Sequence, residues 1–222
     1  MMHRRLFIIL SLCLILGSTG AFAQDNRFEI YGLIGYTLSE GIDVQPEEGD
    51  DLGIDRLSPK SAFSYGLGMD FMVTENFGVG FNFAQEKSKL RARVEGFQGL
   101  DITDMKVNNF HGILSYTFGD EDASFRPFIF GGLGATSYSP DSFEERHPQG
   151  FSRFSTTWGG GVKYFTTDHL GFRGGIRWTP THIKSDPAGI WCDPWWPWYC
   201  WQVSNANYSH QFEMSVGIVT RF

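Results

Sequence analysis

Apolar and polar residues alternate with a period of two through most of the chain. This pattern is typical of β-strands, because successive side chains of a strand point to opposite faces of its sheet. The last segment shows the apolar face most clearly: it carries Phe212, Met214, Val216, Ile218, Thr220 and Phe222. Eight segments alternate in this way, each near the roughly 9–11 residues that a tilted transmembrane strand needs. They cover residues 28–38, 63–73, 77–87, 106–118, 127–138, 154–166, 170–182 and 211–222.

The connections between these segments alternate between short and long. Short turns fall at residues 74–76, 119–124 and 167–169, and long polar loops fall at 39–60, 88–105, 139–153 and 185–206. Short periplasmic turns and longer extracellular loops are the pattern of outer-membrane barrels. The sequence therefore predicts an all-β fold, an eight-stranded antiparallel up-and-down transmembrane β-barrel with both termini on the periplasmic side.

A soluble β-sandwich or a lipocalin-like barrel would also alternate. Two features favour the membrane barrel: bulky apolar residues line one face of nearly every strand, and aromatic residues recur near the strand ends. We expect a periplasmic aromatic girdle made of Phe28, Phe71, Phe77, Phe118, Phe128, Phe172 and Phe222.

The first residues predict export. Arg4 and Arg5 precede an apolar run, and Ala21-Phe22-Ala23 matches a signal-peptidase site. The run is too short to span a bilayer as a helix, which needs about 20 residues. We therefore expect a signal peptide at residues 1–23, a barrel domain at 24–222, and a location in the bacterial outer membrane.

Charge and cysteines narrow the chemistry. Removing the signal peptide takes away Arg4 and Arg5 but no acid, so the net charge falls from −7 to −9. No uniformly basic footprint for nucleic acid is present. Cys192 and Cys200 remain, and in an exported chain this pair predicts a disulfide. No further thiol or histidine flanks them at ligand spacing, so neither a metal nor a cofactor is expected.

The loop between these cysteines is rich in tryptophan. Five of the seven tryptophans lie in or beside it: Trp191, Trp195, Trp196, Trp198 and Trp201. Tryptophan has a rigid apolar face and one donor, which suits sugar rings, partner surfaces and membrane interfaces. An extracellular aromatic loop that anchors in the headgroups and one that contacts a ligand both remain open.

Charged residues on the polar strand faces are expected inside the barrel, because eight strands leave an interior that side chains can fill. The predicted lumen charges are Glu29, Asp70, Lys163, Arg173, Arg177 and Glu213. They could form a path for protons or ions, or a network of salt bridges that replaces a hydrophobic core. A buried charge without a partner costs several kcal/mol, which favours the network.

Three segments resemble a known family. Residues 208–213, which lead to the terminal Phe222, look like the C-terminal strand of outer-membrane proteins. Residues 161–177 are similar to small OmpA/OmpX/OmpW-like barrels. Residues 177–181, with Ser185-Asp186 and the Trp-Cys-Asp-Pro loop, resemble a broad family of bacterial outer-membrane β-barrel-domain proteins. The resemblance implies fold and location, and it implies that the barrel-assembly machinery reads Phe222 as an assembly signal. It implies no activity.

Two loops carry concentrated charge. Lys87, Lys89, Arg91 and Arg93 alternate, which puts four positive charges on one face of an extended strand. They could contact lipopolysaccharide phosphates, or they could be a solvated strand extension. The first loop is acidic, but its spacing does not match a calcium-binding EF-hand, so a solvated loop is expected.

Catalysis has one candidate set, Ser209, His210 and Glu213, but alternation points His210 away from the other two. The sequence thus predicts a non-enzymatic integral outer-membrane protein with a structural or surface-interaction role. A narrow channel for small apolar solutes and a lipid A-modifying enzyme are the alternatives. The expected partners are outer-membrane lipid, lipopolysaccharide and the assembly machinery, together with an extracellular ligand of unknown kind.

Overall fold

The computed structural model describes residues 27–40, 42–45, 54–94, 97–141, 150–182, 202–203 and 208–222. The predicted signal peptide, Cys192, Cys200 and the five loop tryptophans lie outside these residues. Among the described residues, no helix is long and apolar enough to cross a bilayer.

Eight of the described strands form a closed antiparallel ring. In chain order all the strands are β1 (Phe28–Ser39), β2 (Ile42–Gln45), β3 (Ile54–Pro59), β4 (Ala62–Met72), β5 (Phe77–Val94), β6 (Phe97–Thr117), β7 (Phe125–Pro140), β8 (Phe151–Phe165), β9 (Leu170–His182), β10 (Gln202–Val203) and β11 (Tyr208–Arg221). Around the ring the order is β1-β4-β5-β6-β7-β8-β9-β11. The ring closes where β1 pairs with β11. The predicted eight-stranded barrel is therefore confirmed.

The three remaining strands belong to the long-loop end of the barrel. Strand β3 pairs with the outer part of β5, β2 pairs with β3, and β10 pairs with β2. Strands β5 and β6 are the longest in the ring, at 18 and 21 residues. Much of the polar loop expected at 88–105 is therefore a hairpin that continues the barrel wall. Backbone pairing sustains it, and this pairing needs no apolar side chains.

The outer wall is apolar, as the alternation predicts. On β4, Phe63, Leu67 and Phe71 are exposed, and on β11, Met214 and Ile218 are exposed. The polar side chains of the same strands are buried inside the ring. This arrangement inverts that of a soluble barrel, and it suits a wall that faces hydrocarbon.

One residue of the expected aromatic girdle is placed wrongly by the sequence. Phe128 points into the barrel and is only 3% exposed, whereas the other six girdle residues are exposed on the outer wall. Ile129 and Leu133 of β7 face outward, and because the side chains of a strand alternate, Phe128 next to Ile129 faces inward. Phe128 consequently fills the lumen, where it stacks on Phe130 with ring centroids 6.1 Å apart.

Candidate functional site

The lumen is filled by buried charges, rings and hydroxyls. Nearest the short-turn end, Lys163 on β8 donates from Nζ to Oε2 of Glu29 on β1 at 2.5 Å. Both side chains are 1% exposed or less. Lys163 also donates to Oγ1 of Thr117 at 3.3 Å. This ion pair crosses the interior and joins strands on different sides of the ring.

Arg173 on β9 forms the second crossing pair. Its guanidinium donates to Oδ2 of Asp70 on β4 at 3.4 Å. The guanidinium carbon lies 3.9 Å from the centroid of the Tyr31 ring and 4.1 Å from that of Phe128. Arginine stacks on aromatic faces because its planar cation is weakly hydrated. The Arg173–Asp70 salt bridge and the rings of Tyr31 and Phe128 together fill the interior at this level.

Tyr31 also contacts the acid of this pair. Its hydroxyl donates to Oδ1 of Asp70 at 3.4 Å. Gly68, on the neighbouring strand β4, leaves the space that the Tyr31 ring occupies, because any side chain at that position would overlap the ring. The glycine is therefore part of how the ring is positioned.

Arg126 and Arg221 hold the short turns at their end of the barrel. Arg126 donates to the carbonyl oxygen of Glu75 at 2.8 Å. Arg221 donates to the carbonyl oxygens of Asp168 at 2.5 Å and Glu121 at 2.9 Å. These side chains tie the turns to the barrel wall by hydrogen bonds to charged donors, which are stronger than neutral ones.

The third ion pair lies nearer the middle of the barrel. Arg177 on β9 donates to Oε2 of Glu213 on β11 at 2.6 Å, and to Oδ1 of Asn82 on β5 at 2.5 Å. Thr37 donates to the same Glu213 oxygen at 3.5 Å. A cavity of about 30 Å³ lies between this pair and the Arg173 level. It has room for one or two water molecules.

Above this pair, towards the long loops, the interior holds neutral polar groups. Thr136 is their centre: it donates to Oδ1 of Asn109 at 2.7 Å, and its oxygen lies 3.0 Å from Oγ of Ser155. Nε2 of His111 lies 2.9 Å from the same Ser155 oxygen. A histidine that contacts a serine hydroxyl can act as its base, and a third group usually orients the histidine ring. Among the described residues, however, Nδ1 of His111 has no hydrogen-bond partner to orient the ring.

Among the described residues, Glu86 is a buried acid with no base at ion-pair distance. It is 1% exposed, and Ser39 donates to its Oε2 at 3.4 Å. Within the described part of the chain, Oε1 has no hydrogen-bond partner.

All six charges expected in the lumen lie there, and they meet as Lys163 with Glu29, Arg173 with Asp70, and Arg177 with Glu213. Sequence reasoning did not single out Glu86, Arg126 or His111. Glu86 and Arg126 lie at or just beyond the ends of the expected strands, where the phase is hardest to assign. His111 had a usable signal, because it shares the inward phase of Asn109.

The candidate catalytic set does not converge. Ser209 and Glu213 are buried in the lumen. His210 lies on the outer wall, where it accepts a hydrogen bond from Nε1 of Trp178 at 3.3 Å. Nor does the described part of the chain gather three or more side chains that could hold a metal ion.

In the part of the chain that the structure describes, charged residues of the outer wall are concentrated on β5 and β6 at the long-loop end. Lys87 lies directly opposite Lys106, and Lys89 opposite Asp104. Lys89 is 3.7 Å from Asp104, and Lys106 is 3.0 Å from Asp141. Exposed pairs of this kind contribute at most about 1 kcal/mol each, so they leave the lysines available to other anions.

Comparison with known proteins identifies the fold. The family model described as "Outer membrane protein beta-barrel domain" matches residues 9–219. Among solved structures, Neisserial surface protein A is similar with a TM-score of 0.59 and 13% identity, over 88% of this chain and 97% of that one. OprG from Pseudomonas aeruginosa gives 0.55 and 16%, over 88% and 95%. AlkL gives 0.52 and 14%, over 90% and 92%. Comparison with curated sequences finds no match. At these identities the structural likeness concerns the fold alone.

Proposed function

Because the chain belongs to the outer membrane protein β-barrel domain family, we propose that it is a non-conducting, non-enzymatic barrel that acts through its outer wall and surface loops. The bacterial outer membrane is its location. The proposal assigns the lumen a structural role, in which ion pairs and rings replace the hydrophobic core of a soluble protein.

The observation that carries the proposal is the filled interior. Two crossing ion pairs and the Tyr31 and Phe128 rings occupy one level, and the Arg177–Glu213 pair occupies the next. The cavity between these two levels is only about 30 Å³. A narrow channel for apolar solutes would need a continuous path without crossing charges. An apolar solute that passes a charged side chain removes water from it, and this desolvation costs free energy.

Within the described residues, the candidate catalytic groups do not form an arrangement that supports the enzymatic alternative. His210 faces away from Ser209 and Glu213, and the His111–Ser155 contact lies inside the packed polar network. A nucleophile and its base must both reach the substrate. The lumen therefore has a structural role and no catalytic one.

Conductance tests the proposal. The mature chain is reconstituted in planar bilayers beside a Phe128→Ala variant, which removes one ring of the filled level. We expect no discrete current steps from the wild-type protein. Steps from the wild type whose size changes in the Phe128→Ala variant would come from this lumen, and they would refute the proposal. Steps of the same size in both samples indicate a contaminating pore, and the preparation is then purified until they vanish.

The solute arm uses vesicles with a lipopolysaccharide outer leaflet, through which small apolar solutes pass slowly. We expect the same rate of uptake with and without the wild-type protein. Faster uptake that depends on the protein and increases further in Phe128→Ala would support the channel alternative instead.

A further inference from the structure

The outer face of β5 and β6 changes chemistry in regular steps toward the long loops. Phe83 and Phe110 form an apolar rung, with ring centroids 5.0 Å apart. The next rung is made of amides, where Gln85 donates to Oδ1 of Asn108 at 2.5 Å. The rung after that is Lys87 opposite Lys106. Side chains of one face recur every two residues, so each step advances about 6.6 Å along the strand.

These steps match the layers of a membrane leaflet. The apolar rung suits hydrocarbon, and the amide rung, which also accepts a hydrogen bond from the Tyr65 hydroxyl, suits the interface. The lysine rung lies one step farther from the apolar rung, where charged headgroups follow the hydrocarbon in a leaflet. Positive side chains at this height are attracted to anionic headgroups.

The charges around this rung form a groove rather than a flat patch. A cavity of about 490 Å³ opens among them, lined on its charged side by Lys60, Lys87, Lys89, Lys106, Asp104 and Asp141. The four lysines outnumber the two acids. Within the described residues Lys87 has no acid at ion-pair distance, and the ion pairs of Lys89 and Lys106 are more than 40% exposed. The groove is therefore positive and accessible.

The opposite side of the ring is different. Strand β9 lies four strands away from β5 around the eight-stranded ring, and therefore on its opposite side. There, at the long-loop end, Trp178 stacks on Phe212 and Tyr208 packs against His182. If this end of the barrel only had to lie in the headgroup region, aromatic residues around the whole ring would be sufficient. Within the described residues, the lysines of the groove lie on β5, on β6 and at Lys60 just before β4, which indicates a localised site.

We propose that the groove between β4, β5 and β6, centred on Lys87 and Lys106, binds the phosphates of a phosphorylated glycolipid of the outer leaflet, with its acyl chains on the apolar wall below. Two lysines side by side can share one phosphate, and the apolar rung of Phe83 and Phe110 lies where the chains begin. This site does not depend on whether the lumen conducts, so it stands apart from the function proposed above.

The test measures lipid binding to the mature chain refolded in detergent micelles. The probe is bis-phosphorylated lipid A, with dephosphorylated lipid A as its matched lipid and EDTA present to remove bridging cations. A lysine near an anionic headgroup changes affinity by about fivefold. We expect the phosphorylated lipid to bind at least about tenfold more tightly than the dephosphorylated lipid. The double variant Lys87→Gln/Lys106→Gln should lose most of that difference.

A variant of opposite sign is the control. Asp104→Asn with Asp141→Asn removes two acids from the same groove, so it should strengthen binding of the phosphorylated lipid. Gel mobility before and after heating verifies that every variant forms a closed barrel. Equal binding of the two lipids, an unchanged affinity in the lysine variant, or a loss in the aspartate variant would each overturn the proposal. Displacement of lipid A by millimolar inorganic phosphate would also overturn it, since the site would then recognise free phosphate.

Discussion

Breaking the Lys163–Glu29 pair should destabilise the barrel by an amount that depends on which partner is removed. The two residues are buried and their atoms lie 2.5 Å apart. Removal of one member of a buried pair costs about 3–5 kcal/mol, because the other charge stays in the interior without compensation. The neighbours across the strands determine where within this range each variant falls.

Lys163 lies opposite Arg126 on β7 and opposite Arg173 on β9, so both of its lateral neighbours are cations. Glu29 lies between Arg221 on β11 and Asp70 on β4, one cation and one anion. Glu29→Gln therefore leaves a cation among cations, and we expect it to lower the free energy of unfolding by about 4–5 kcal/mol. Lys163→Met leaves an anion that still has Arg221 beside it, and we expect a loss of about 3 kcal/mol, at the lower end of the range.

The assay is urea-induced unfolding from phospholipid vesicles, followed by tryptophan emission, with both single variants and the double variant. The double variant carries neither charge, so its stability should return to within about 1–2 kcal/mol of the wild type. The coupling energy would then be several kcal/mol, far above what independent sites give. Equal losses in the two single variants would show that the lateral neighbours do not matter. Additive losses in the double variant would refute a direct interaction between the two charges.

Two further predictions concern the loop and the glycine. Cys192 and Cys200 should be oxidised, and their replacement by serine should leave a heat-resistant barrel on a gel while it shifts tryptophan emission, because a ring this small stabilises its own loop by roughly 2–3 kcal/mol; a barrel that no longer folds would contradict this. Gly68→Ala should lower the free energy of unfolding by about 1–3 kcal/mol, because the added methyl displaces the Tyr31 ring. Gly112→Ala, with an open site beside it apart from one carbonyl at 3.9 Å, is its control in the same urea titration.

The strands and their two faces could be predicted from the sequence because alternation is a local property. The inward side of Arg173 and Arg177 follows from the apolar residues beside them. Which charge meets which could not be predicted, since the contact between Lys163 and Glu29 depends on the tilt and stagger of strands around the closed ring. The length of the β5–β6 hairpin was underestimated for a different reason: residues 88–94 and 97–105 lie in the segment assigned to a polar loop, and their backbone pairing does not require an apolar face.

The ion pairs of the lumen also bear on the order of events during membrane insertion. Glu29 and Lys163 are 134 residues apart in the chain, and Asp70 and Arg173 are 103 apart. The acids of both pairs lie on β1 and β4, and the bases lie on β8 and β9. A charge left in hydrocarbon costs about 2.5–3.5 kcal/mol. For this reason, the acids on the concave face of a partial sheet made of the first strands would stay hydrated. Neutralisation becomes possible only when the late strands arrive. The two crossing pairs consequently favour closure of the ring as the sheet enters the bilayer.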